Sequence, residues 1–190
     1  MRTYLTEDEI GRVLVTGSQF ADRLLVQMGL SMGCRVSEIT SLLVRNIKGQ
    51  EIKIWDEKKD DYRTVFIDSR TSADVGIYLL DHYEAPVGVR KRDRRLFYVS
   101  DRTINRRVKA MFKAAEIPED VPYRWHTLRH TYVRRMFSLL QDNALQFICE
   151  QTGDSPATIL GYYGIPSFDE RRKVADNYRI VPFQKGGVNR

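Results

Sequence analysis

The side chains with chemical potential in this sequence fall into four groups. Arg35 stands in Gly33-Cys34-Arg35-Val36-Ser37-Glu38, Lys58 and Lys59 in an acidic-basic cluster, His126 and His130 around Arg129 in His-Thr-Leu-Arg-His, and Tyr162 beside Tyr163 before Gly164-Ile165-Pro166. An arginine fork stays protonated and can grip an oxyanion through paired hydrogen bonds. An imidazole can move a proton near neutral pH, an ammonium can give one up, and a phenol can attack an electrophile once its own proton is accepted. Each group also has a plainer reading. Arg35 suits a surface ion pair with Glu38, the lysines suit a solvated turn, and adjacent tyrosines suit packing. His126 and His130 sit one helical turn apart, as metal ligands can, but no cysteine or carboxylate accompanies them in the motif, which favours structural or phosphate-binding roles and no metal.

The rest of the composition bounds what such groups can serve. The chain has 190 residues, 42% hydrophobic and 29% charged, with 31 Lys+Arg against 25 Asp+Glu for a net charge of +6. A chain of this length can bury about 70% of its surface and needs no staples. Its apolar runs end far short of the roughly 18 residues of a membrane span. The segment from Met1 to Glu9 has no apolar stretch of the kind a secretory leader carries. Cys34 and Cys149 show no Cys-x-x-Cys spacing, so a reducing, cytoplasmic compartment is expected. A phosphate-binding Gly-x-x-x-x-Gly-Lys loop and a two-metal carboxylate cluster are both missing, and no cofactor is expected.

These groups must be carried by mostly helical elements. Thr6 and Glu9 form a capping-box pattern ahead of Ile10, Val13 and Leu14, which predicts a helix from about Thr6. Apolar spacing predicts further helices over 19–30, 37–43, 71–83, 103–115, 126–140 and 145–151. Ile52 and Ile54, then 64–67, alternate with polar residues around a charged tip, which predicts a β-hairpin. Leu96 to Val99 is a further strand candidate, and Ser167 to Ile180 a charged amphipathic segment. The fold class is therefore mainly α with a small antiparallel β-hairpin or sheet, an α+β arrangement. Repeats and low-complexity tracts are absent. Positive charge concentrates in the run from Arg90 to Arg95 and along the helix bearing Arg102, Arg106, Arg107 and Lys109, which suits phosphate contacts and salt-sensitive binding.

The order Arg, hairpin Lys, His-x-x-Arg and a late Tyr resembles the tyrosine recombinase (phage integrase) catalytic domain, from about Leu5 to Tyr178. "GCRVSEITSL" and "HTLRHTYV" carry the resemblance most specifically, and "TGDSPATILGYYG" matches the family's closing box in spacing. The resemblance implies the recombinase catalytic-domain fold over 1–180, a short tail over 181–190, and an N-terminal core-binding domain absent from this chain. It implies double-stranded DNA as partner, with nucleoid association, and no membrane. It further implies a tetramer on DNA built by exchange of the segment after the tyrosine, the chain alone being a monomer.

By the same resemblance, Arg35 and Arg129 match the paired catalytic arginines, His126 the histidine of the His-x-x-Arg motif, and Glu38 the acidic residue that holds the first arginine. Lys58 fits the hairpin lysine, with Lys59 as the alternative. Tyr163, ten residues after Gly153, fits the nucleophile, with Tyr162 as the alternative. The residue after Gly153 departs from the pattern: Asp154 stands where the family has a His or Trp that donates to the scissile phosphate. A carboxylate there is expected to turn away, to stay protonated, or to bind a donor such as His130. The implied reaction is strand cleavage and rejoining through a 3′-phosphotyrosyl link, without metal or ATP. Two other readings fit parts of the pattern: a type IB topoisomerase that relaxes supercoils, and a non-catalytic DNA-binding regulator.

Overall fold

The computed structural model describes residues 2–17, 19–57, 59–140 and 144–163. Lys58, the segment from Ser167 to Ile180 and the tail over 181–190 lie outside the described residues. The helices are α1 (Glu7–Thr16), α2 (Phe20–Met32), α3 (Val36–Ser41), α4 (Ser69–Ile77), α5 (Asp101–Ala114), α6 (Trp125–Leu140), α7 (Ala144–Thr152) and α8 (Pro156–Tyr163). Between α3 and α4 lies an antiparallel sheet of β1 (Ile47–Lys48), β2 (Glu51–Asp56) and β3 (Asp61–Phe66), in that order.

Local chemistry sets the helix starts. At α1 the Thr6 amide donates to Glu9 Oε2 at 2.7 Å and the Glu9 amide to Thr6 Oγ1 at 3.3 Å, completing the box expected from the sequence. Ser100 caps α5 and Asp68 caps α4, each accepting an amide of the first turn. Asn105 Oδ1, on α5, takes the amide of Trp125 at 2.9 Å and so caps α6 from another element.

Helix α2 is the hub, burying Leu24, Leu25, Val26, Met28, Leu30 and Met32. Each such side chain contributes about 1.5–3 kcal/mol when fully buried. Helix α6 crosses it at Gly29, where a Cβ would lie 2.8 Å from Leu128 Cδ1 and 3.0 Å from the Trp125 ring. Helix α5 buries Ile104, Val108, Met111 and Phe112 on one stripe and exposes Arg102, Arg106, Lys109 and Lys113 on the other. A second, smaller core of Tyr132, Val133, Ala144, Ile148 and Ile159 joins α6, α7 and α8.

In the sheet Ile52 faces Val65 and Ile54 faces Arg63, and the inner face carries Ile52, Ile54, Asp56, Arg63 and Val65. The strict two-residue period thus places one arginine inside. The expected strand over Leu96 to Val99 does not form. Leu96 and Phe97 are both buried, which breaks the alternation a strand requires, and a single bridge joins Leu43 to Arg95.

Candidate active site

Arg35 follows the end of α2. Gly33 closes that helix in the left-handed region (φ 58°), with its amide donating to Gly29 O at 3.1 Å. A Cβ at Gly33 would overlap the Tyr132 ring, so both the turn and the packing require glycine. The next residue, Cys34, is tied to α6 by its carbonyl, which accepts Trp125 Nε1 at 2.8 Å. Burial pushes its thiol up to about 12, so it stays protonated and inert. Arg35 then enters α3, its amide donating to Glu38 Oε2 at 2.6 Å and its Nη1 to Glu38 Oε1 at 3.3 Å.

Arg129 rises from α6 and is 3% exposed. Its Nη1 donates to Gly33 O at 2.6 Å and its Nη2 to Thr152 O at 3.0 Å, so one guanidinium fastens α6 to the ends of α2 and α7. Arg35 and Arg129, far apart in the chain, converge on one carboxylate. Arg35 Nη2 lies 2.5 Å from Asp154 Oδ1 and Arg129 Nη2 lies 2.5 Å from Asp154 Oδ2. Burial opposes ionisation of Asp154, but Arg129 first and Arg35 second outweigh it and hold its carboxyl below the usual range. Of the three outcomes expected from the sequence, the structure shows the third, a carboxylate bound to donors, with Arg35 and Arg129 as the donors in place of His130.

His126 is exposed at the start of α6, and its ring meets His130 edge-on at 4.3 Å between centroids. Its pKa is lowered, chiefly by partial desolvation of the ring on its inner side, with Arg129 and Arg124 adding and Asp154 opposing. His126 is therefore a neutral acceptor at pH 7, within electrostatic reach of the arginine pair. His130 is buried, and its pKa is lowered to about 4 by burial and by His126. The Tyr162 ring, three-quarters exposed, stands 6.3 Å from that of His130. Tyr163 is the last residue of α8, whose Ile159 is anchored in the smaller core. Lys59 is exposed at the hairpin tip. Arg102, Arg106 and Lys109 lie open on α5, whereas Arg107 Nη1 is paired with Asp22 Oδ1 at 2.9 Å and ties α5 to α2.

One contributor was not singled out from the sequence. Arg63, on the inner face of β3, sends Nη1 and Nη2 to the two Glu38 oxygens and Nε to Gln151 O at 3.1 Å. The available signal was an arginine in phase with Val65 and Ile67, where a hydrophobic residue belongs. Gly153 (φ 69°) sits against it, a Cβ there lying 2.9 Å from Asp56 Oδ2 and 3.2 Å from Arg63 Cζ. A cleft of about 130 Å³ opens beside Arg35 between Glu38, Trp55 and Glu57. A larger groove, about 850 Å³, is lined in part by Tyr132 but by none of Arg35, Glu38, Arg63, His126, Arg129 and Asp154. Among the described residues no three metal-ligating side chains come together, and no helix is long and apolar enough to cross a membrane.

The phage integrase family model matches residues 3–148, which contain Arg35, His126 and Arg129. The chain belongs to the phage integrase family. Tyrosine recombinase XerA of Saccharolobus solfataricus is 29% identical over 130 residues, covering 67% of this chain and 40% of its own length. The chain thus spans well under half of that curated relative. The crystal structure of a XerA recombinase superposes with a TM-score of 0.75 at 25% identity, covering 95% of this chain and 67% of that one. The catalytic domain of bacteriophage HP1 integrase gives a TM-score of 0.62 at 22% identity, covering 93% and 96%. The XerH site-specific recombinase bound to its difH substrate gives 0.69 at 17% identity, covering 94% and 55%. The fold is that of tyrosine recombinase catalytic domains, mostly helical with a small antiparallel sheet.

Proposed function

We propose that this chain is the strand-transfer domain of a site-specific DNA recombinase, cutting and rejoining DNA through a covalent 3′-phosphotyrosyl intermediate. One observation carries the reading: guanidinium groups from the start of α3 and from α6 aim at a single anionic point. Attack on a phosphodiester loads charge onto its non-bridging oxygens, and Arg35 and Arg129 supply fixed, permanently charged donors for them. Forming free phenolate at pH 7 from a phenol of ordinary pKa costs about 4 kcal/mol. In this scheme neutral His126 accepts the proton of Tyr163 as it attacks, and Tyr162 is the alternative nucleophile. Lys58, or else Lys59, protonates the departing 5′ oxygen. The phosphotyrosyl bond conserves the energy of the broken linkage, so rejoining to another 5′ hydroxyl requires no nucleotide.

The substrate is double-stranded DNA, gripped on its phosphates by Arg102, Arg106 and Lys109. The XerH structure with its difH substrate supports this assignment by analogy of fold. Residues 1–180 form the catalytic unit, and the working assembly is a tetramer on DNA in which segment 167–180 is exchanged.

The test is a pool of nicked duplexes of randomised sequence, in which loss of the short strand traps the covalent adduct. Wild-type protein is expected to give an adduct stable to detergent, mapped by peptide mass to Tyr163. Tyr163→Phe is expected to abolish it and Tyr162→Phe to retain it. DNA binding without any adduct would instead favour the regulator, and magnesium-free relaxation of plasmid without strand exchange the topoisomerase.

A further inference from the structure

We propose that Asp154 is an internal occupant of the anion cradle, a carboxylate that holds the place of the substrate phosphate and must give way before that phosphate can bind. The identity of the incoming anion rests on the function proposed above; the cradle and its occupant are read from the geometry.

The two oxygens of Asp154 are shared out one to each arginine, Oδ1 to Arg35 and Oδ2 to Arg129. That is the division a phosphodiester makes of its two non-bridging oxygens between two forks. The carboxylate is also well sheltered, with only 14% of the side chain exposed, so it competes from a low-dielectric position and at fixed, high effective concentration. Charge points the same way. Among the described residues, ion pairs join Arg35, Arg63 and Arg129 to Glu38, Asp56 and Asp154. Glu38 is committed to Arg63 on both oxygens and Asp56 lies deep beside Gly153, whereas Asp154 is the anion on the rim. A phosphate arriving with Asp154 in place would meet a carboxylate already seated on both guanidinium groups and be repelled by it; one that replaces it exchanges one anion for another.

The backbone around Asp154 permits the exchange. Gly153 supplies a left-handed hinge on one side, and the amide of Asp154 is held by a long 3.3 Å contact to Thr152 Oγ1. On the other side Ser155 caps α8, its Oγ taking the Thr158 amide at 3.2 Å. The group that yields to phosphate is therefore two residues ahead of the helix that ends in Tyr163, so occupancy of the cradle and the setting of that helix are linked through Ser155.

The alternative is that Asp154 is only a staple between α3, α6 and α8. Inorganic phosphate separates the two. Titrations of wild type, Asp154→Asn and Asp154→Ser are run by calorimetry and by thermal melting against chloride at equal ionic strength. The occupant role predicts at least tenfold tighter phosphate binding in both variants than in wild type, lost again in the Arg35→Ala/Asp154→Asn double variant. Variants that fold and bind phosphate no better than wild type overturn it. Should neither variant fold, wild type decides: phosphate at high concentration is expected to shift its Arg35 and Arg129 guanidinium nitrogen signals and the Asp154 carboxyl carbon signal together and saturably, and arginine signals that never shift, or that shift while the Asp154 signal stays fixed, overturn the proposal. The nicked-duplex assay is run in parallel. Phosphate results as expected with no adduct from any protein sink the strand-transfer reading and leave the cradle standing; the reverse pattern does the opposite.

Discussion

Arg63 and Glu38 meet fork to fork, Nη1 on Oε1 at 2.8 Å and Nη2 on Oε2 at 2.9 Å, with both side chains buried. The same two oxygens receive Arg35 through its Nη1 and its amide, so the hairpin helps set the position of Arg35 through a shared carboxylate. Removing one partner of a buried pair leaves the other charge stranded, at a cost of about 3–5 kcal/mol. Arg63→Met is therefore expected to lower stability by that amount in urea denaturation. Arg63→Lys should recover part of the stability, since charge is restored, but not the DNA cleavage rate, since one ammonium cannot hold both oxygens. Recovery of both together would reduce Arg63 to a structural cation.

His126 is expected to behave as a base. Its lowered pKa keeps it neutral at pH 7, so the single-turnover cleavage rate should be level through neutrality and fall only as pH drops below the ordinary imidazole range. His126→Ala should cost about 10²–10⁴-fold in that rate. Because His126 is exposed and its ring contact is with His130 at the surface end of α6, melting temperature should fall only slightly. A variant that cleaves at the wild-type rate removes the base from this residue.

Much of this arrangement was legible in the sequence because its signals are local. The Thr6–Glu9 box, the helical spacing over 103–115 and the hairpin alternation all depend on neighbours within one or two turns. Arg35, His126 and Arg129 were legible as a set through their order along the chain. Two features were not. Arg63 reads as one more charge in a charged hairpin until the register places it inward, against Glu38. Asp154 reads as a misfit for a donor position until α7 and α6 bring it between two arginines, which no local pattern encodes.

The buried His130 makes stability depend on pH. In the folded chain its pKa is about 4, and on unfolding it returns to about 6.5, so the unfolded state binds the extra proton between those values. Stability is therefore expected to fall as pH drops from about 6.5 to about 4, by at most about 3 kcal/mol from this group. Asp154 acts lower on the scale: with its folded pKa depressed, its contribution is full above the ordinary carboxylate range and is lost as pH falls below it. Urea midpoints between pH 4 and 8 read the first effect, and His130→Gln should flatten that slope. An unchanged slope in the variant assigns the acid sensitivity elsewhere.

Gly33 tests whether the turn after α2 is what aims Arg35. Its φ of 58° costs a non-glycine residue about 1–2 kcal/mol, and a methyl there would run into the Tyr132 ring, adding the roughly 1–3 kcal/mol typical of overpacking. Gly33→Ala is thus expected to lose about 2–5 kcal/mol in denaturant titration. The carbonyl of Gly33 also receives Arg129 Nη1, so a shifted backbone displaces both arginines at once. Tyr132→Leu in the same chain relieves the overlap but not the backbone strain. The double variant should regain about half of the lost stability, while cleavage stays low if the left-handed turn itself positions Arg35. Cleavage restored to the wild-type rate in the double variant would show that the ring overlap, not the turn, was the obstacle.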